Sequence, residues 1–149
     1  MARKKKKATH TPPIVLALVL ADTILTEVAS GKFYINGTFS SILSAGFPCF
    51  HPRMAVYLAI TNGHGSTPLK MRLVDADEER PPVVEAELIV NFPDPIVVVE
   101  SVGVLQNVVF PVPGDYRLEL YAAGTPIMSR RLAVVPVQPP KPLTEPEGE

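Results

Sequence analysis

The feature that most constrains this chain is a two-residue rhythm of apolar side chains, cut at short intervals by glycine and proline. Met54, Val56, Leu58 and Ile60 share one side of a run whose other side carries Ala55, Tyr57 and Ala59. Leu69, Met71 and Leu73 alternate with Lys70 and Arg72, and Val84, Ala86, Leu88, Val90 and Phe92 with Glu85, Glu87 and Asn91. Tyr116, Leu118 and Leu120 alternate with Asp115, Arg117 and Glu119. Successive side chains of a strand point to opposite faces, so each run describes one buried and one wetter face. That asymmetry is the mark of antiparallel sheets. The i, i+3, i+4, i+7 spacing of an amphipathic helix is not sustained anywhere.

Turn signals separate the runs at hairpin spacing: Ser30-Gly31, Asn62-Gly63-His64-Gly65, residues 75–82, Pro93-Asp94-Pro95, Pro113-Gly114-Asp115 and Ala123-Gly124-Thr125-Pro126. Asn36-Gly37 fits either a tight turn or a glycine bulge, and we read it as a bulge inside one long strand. The strands then fall at 14–21, 32–42, 54–62, 69–75, 83–92, 96–99, 105–111 with 115–121, and 127–135. That is about eight, or nine if the seventh is divided. Many short strands with Gly and Pro turns make two packed sheets or a barrel. The segment from Phe110 to Leu120 delivers Tyr116 by a turn to the start of an alternating strand. This is the setting of the tyrosine corner in immunoglobulin-like sandwiches, although no Cys…Trp…Cys pattern accompanies it. The expected fold is all-β, an immunoglobulin-like antiparallel β-sandwich.

Composition narrows the function classes. With 149 residues, 46% hydrophobic and 19% charged, the chain holds one domain and is not wholly disordered. Trp is absent, and the single Cys49 gives neither an intrachain disulfide framework nor a multi-thiolate zinc site. No apolar run reaches the ~18–20 residues of a membrane helix, so no transmembrane segment is expected. Prolines number 17, and several gather near the C-terminus.

Charge divides the chain into three parts: a basic disordered arm at 1–12, a sandwich domain at 13–135 and a Pro-rich acidic tail at 136–149. Arg3, Lys4, Lys5, Lys6 and Lys7 form the arm's positive run, which reads as a solvated tail, a contact for nucleic-acid phosphates, or a contact for an acidic protein or anionic membrane surface. No aromatic residue is interleaved with it, so nucleic-acid association would be non-specific. The 14–21 segment is short for a secretory signal and rich in β-branched residues, which favours a strand and a cytoplasmic protein. The alternative is an exported protein cleaved after Ala21.

Several positions together resemble a family of small, uncharacterised bacterial proteins classed as a domain of unknown function. They are Pro13-Ile14-Val15-Leu16-Ala17 leading to Asp22, Gly31-Lys32, Gly37-Thr38-Phe39, Phe47-Pro48, Gly63-His64-Gly65, Leu73-Val74, and Phe110 followed by Gly114-Asp115-Tyr116. The resemblance implies a bacterial origin and an all-β fold. It carries over no catalytic or binding residue.

Little chemistry is legible. Cys49, His51, His64 and Asp75 could supply metal ligands, but no paired Cys or His spacing supports them, and a buried thiol beside a loop histidine is the simpler reading. Asp75, Asp77 and Glu78 are weak calcium candidates, with Asp94 or Asp22 as further oxygen donors, set against a plain solvated acidic loop. Asn62–Gly65 lacks the Lys and the helix of a phosphate loop. Arg130-Arg131 interrupts the last strand as a bulge or an edge-protecting device. No cofactor is implied. The expected function is a non-enzymatic binding or assembly module, acting on an unknown protein partner or by self-association. Its rivals are non-specific nucleic-acid association through Arg3–Lys7 and an exported calcium-binding or envelope protein.

Overall fold

A computed structural model describes residues 11–138. Nine strands follow one another: β1 (Ile14–Thr26), β2 (Phe33–Thr38), β3 (Ser41–Ser44), β4 (Cys49–Thr61), β5 (Gly65–Asp75), β6 (Val84–Phe92), β7 (Val99–Phe110), β8 (Gly114–Ala122) and β9 (Thr125–Pro136). One sheet runs β2-β1-β4-β7 and the other β3-β9-β8-β5-β6. The two face each other as an immunoglobulin-like sandwich. All pairings are antiparallel except β3 with β9, which run parallel from Ser41 opposite Ala133 to Ser44 opposite Pro136.

Alternation explains the core. Met54, Val56, Leu58 and Ile60 of β4 are buried against Leu69, Met71 and Leu73 of β5 and Leu118 and Leu120 of β8. β1 contributes Leu18 and Leu20, and the latter is fully buried. The 14–21 segment is thus the first half of a strand whose register with β4 runs from Ile14 opposite Thr61 to Ala21 opposite Ala55.

Four expectations are corrected. The long strand at 32–42 is two strands in different sheets. The chain crosses at Phe39-Ser40, where the Phe39 N–H donates to Leu20 O at 3.2 Å and Ser40 O accepts from the Ala133 N–H at 3.1 Å. Asn36-Gly37 is neither turn nor bulge, because the β1–β2 register is the same on either side, Ala21 opposite Thr38 and Thr23 opposite Asn36. Gly37 sits there at φ 71°, and a Cβ would lie 2.5 Å from Asp22 Oδ2. Glycine answers that close approach. The separate strand at 96–99 does not exist. Val97 closes a turn on Asp94, and one strand, β7, runs from Val99 to Phe110.

Arg130-Arg131 is not a bulge either. Leu118 faces Arg130 and Arg117 faces Arg131 in unbroken register, and the shift in β9 lies nearer its start, between the partners of Leu120 and Tyr121. Arg130 falls on the inward row with Leu132 and donates to Leu18 O at 2.6 Å, tying the five-stranded sheet to β1. Arg131 points outward to Asp115 at 2.7 Å. Both lie on the part of β9 that β3 does not cover, so the edge half of the expectation stands.

The tyrosine corner is present. The Tyr116 hydroxyl donates to Val112 O at 2.6 Å, and its ring meets Phe110 edge-on at 4.9 Å between centroids. Burial raises the phenol above its ordinary ionisation range. Tyr116→Phe leaves a carbonyl without its donor and is expected to cost about 1–2 kcal/mol in urea denaturation. Leu20→Ala, which opens a cavity between the sheets, is expected to cost about 2–5 kcal/mol.

Candidate functional site

The acidic loop forms where β5 ends. Asp75 is buried at the strand terminus, where its carboxylate accepts the Asp77 N–H at 3.0 Å and the Arg80 guanidinium at 2.9 Å. Glu78, at φ 55°, accepts from Arg117 of β8 at 3.2 Å. The three calcium candidates are therefore neighbours, but two of their carboxylates are held by arginines and Asp77 is exposed. Asp94 caps its own turn through the Ile96 N–H at 3.0 Å, while Asp22 lies against Gly37 in the other sheet. Among the described residues no group of three or more His, Cys, Asp and Glu is placed to hold a metal ion.

Cys49 is buried at the start of β4, opposite Phe110. His51 packs on the Phe39 ring at 6.0 Å. His64 lies in the turn beyond Thr61, the far end of the same strand, roughly 30 Å from His51 at ~3.3 Å per residue, so the structure does not bring the histidines together. Arg3, Lys4, Lys5, Lys6 and Lys7 lie outside the described residues, as does most of the 136–149 tail.

The outward faces of the two sheets differ. On the five-stranded sheet the expected polar row is present and largely self-paired. Glu85 meets Lys70 at 3.6 Å and Arg72 at 3.0 Å, and the Tyr121 hydroxyl donates to Glu119 at 3.2 Å under the Arg72 guanidinium. A groove of about 590 Å³ lies there, lined by Pro68, Lys70, Arg72, Glu87, Ile89 and Tyr121 among others.

The four-stranded sheet has no such row. In register, Ala55 is flanked by Ala21 and Val104, Tyr57 by Val19 and Val102, and Ala59 by Ala17 and Glu100. These positions alternate with the core residues of β4 and so face outward. Even so, Ala55 and Ala59 are buried beneath their neighbours. Charge returns only at the margins, with Glu100 and, opposite Gln106, Arg53. Arg53 is exposed and has no ion pair among the described residues. The Tyr57 hydroxyl donates to Glu100 at 2.7 Å, and Phe33 of β2 meets the Tyr57 ring edge-on at 5.9 Å. Lys32, Phe33, Ile35, Tyr57 and Glu100 line a groove of about 310 Å³.

β7 closes this sheet on one side. It pairs with β4 from Val99 opposite Ile60 to Phe110 opposite Cys49, and among the described residues no strand lies along its other edge. Exposed edges are ordinarily short, charged or broken by proline. β2 and β3 have only six and four residues, β6 carries Glu85 and Glu87, and the uncovered part of β9 carries Pro126, Arg130 and Arg131. β7 has twelve residues, neither Pro nor Lys, and one carboxylate. The sequence reading missed this edge because Val99, Val102 and Val104 put apolar residues on both faces and blur the alternation that finds strands.

Tyr57 offers a direct check on this face. Its phenol is pushed up to about 12 by burial first, then by the hydrogen bond to Glu100 and by that carboxylate's charge. The folded state favours the protonated phenol, so its stabilising contribution is complete below about pH 10 and is lost as the pH rises towards about 12. Tyrosinate absorbance should show Tyr57 titrating late, towards about 12, and Glu100→Gln should move that component part of the way back towards 10 while Tyr116, raised by its own burial, stays where it is.

Among curated proteins none matches the chain. Among solved structures, an immunoglobulin-like protein from Pseudomonas aeruginosa aligns with 84% of this chain and 98% of its own, at 11% identity and a TM-score of 0.38. Residues 16–135, which span β1 through β9 and stop at both ends inside the sandwich, match the family of unknown function DUF6941. The chain belongs to that family.

Proposed function

We propose that the protein is a non-enzymatic binding or assembly module that engages a protein partner along β7. The observation that carries this reading is the edge itself, twelve residues long and flanked by an outward face of Ala, Val and Tyr. A strand added there would satisfy the outward N–H and C=O groups of β7, and its side chains would pair across the new ladder with Val102 and Val104. The buried setting of Cys49 supports a structural role for the one thiol in the chain.

The test is the native mass of the full-length protein taken from its host cells, compared with Val104→Lys. Val104 is partly exposed, so the variant should keep its urea midpoint. The account expects an assembly heavier than the 16.1 kDa chain that Val104→Lys returns to the mass of one chain. A wild-type chain that runs alone, or an assembly indifferent to the β7 substitution, would overturn the reading.

A further inference from the structure

We infer that the partner on β7 is a second copy of this chain, joined β7 to β7 in antiparallel fashion about a two-fold axis at Gly103; this rests on the edge reading above. An isologous contact requires a surface complementary to itself, and the sequence of β7 meets that requirement in one register. With Gly103 opposite Gly103, Val102 faces Val104 and Glu100 faces Gln106, each pair occurring twice. Moving the pairing by one step on the same face sets Glu100 against Val104, or Val102 against Gln106. Only the Gly103-centred register matches apolar with apolar and polar with polar along the outward row.

The same register accounts for Arg53. Arg53 is opposite Gln106 within the chain, so in the dimer Arg53, Gln106 and Glu100 of the second copy lie in one row across three strands. Strands are spaced ~4.8 Å apart, which puts Arg53 and that Glu100 about 10 Å apart between Cα atoms. Arginine and glutamate side chains together span this gap, giving an ion pair on each side of the axis. The exposed guanidinium without an ion pair among the described residues thus gains a carboxylate that accepts the Tyr57 hydroxyl within one chain. Gly103 suits the axis as well. It lies opposite Val56 over the core, and a Cβ there would sit 2.8 Å from Met71 Cε. The result is a continuous eight-stranded sheet, β2-β1-β4-β7 followed by its two-fold copy.

The test is sedimentation equilibrium on the purified full-length protein, with Arg53→Glu, Glu100→Arg and the double exchange. Wild type should weigh twice the 16.1 kDa chain. Each single exchange, which sets like charges together at both ends of the axis, should weaken the dimer by about tenfold or more, and the double exchange should restore it to within about threefold. Urea midpoints confirm that the variants fold. A purified protein that stays monomeric while the host assembly remains sensitive to Val104→Lys would overturn the second copy and leave the edge reading standing. A dimer that ignores both single exchanges, or that the double exchange fails to restore, would overturn the Gly103-centred register. Loss of the Val104 effect in host cells would instead overturn the edge reading.

Discussion

The structure depends on β4 being paired along both of its edges. Its inward row of Met54, Val56, Leu58 and Ile60 supplies the floor on which β5 and β8 pack, and its two ladders fix where β1 and β7 lie. Those ladders also decide the faces. Once Met54 and Val56 point inward, Ala55, Tyr57 and Ala59 must point outward, and the register aligns them with Ala and Val on both sides. The apolar outer face therefore follows from the placement of the core. Arg130 and the tyrosine corner then hold the second sheet in place, the first by reaching Leu18 O between the sheets and the second by fixing the turn into β8.

How much of this was legible depended on how strongly polar residues marked one face. β5, β6 and β8 alternate against Lys, Arg and Glu, and all three are legible, β6 and β8 within a residue of their ends. Tyr116 announced its own corner, since a tyrosine delivered by a Pro-Gly turn has few other uses. β7 reads as two pieces because its valines fall on both faces, and β2 and β3 read as one because nothing in Phe39-Ser40 marks a change of sheet. Gly37 misled for a physical reason. Positive φ is the signature of turns and bulges, but here it answers the close approach of the Asp22 side chain across a regular ladder.

The candidate site was less visible. The acidic loop drew attention as a set of carboxylates, yet Arg80 and Arg117, which hold two of them, are distant in role from any sequence motif. Arg117 comes from a different strand altogether. The edge of β7 could not be read at all without the sheet order, because an edge is a property of topology and not of composition. What sequence did carry was the imbalance of the outer rows, charged on β5, β6 and β8 and aliphatic on β1, β4 and β7. That imbalance separates a charged, solvated face from an apolar one.

Amide hydrogen exchange along β7, followed as the purified protein is concentrated, tests the account most directly. If the edge is an assembly surface, amides between Val99 and Gln106 that point away from β4 gain protection with concentration, while those on the edges of β3 and β6 do not change. Exchange along β7 that is independent of concentration, or protection that grows on β6 instead, would contradict it.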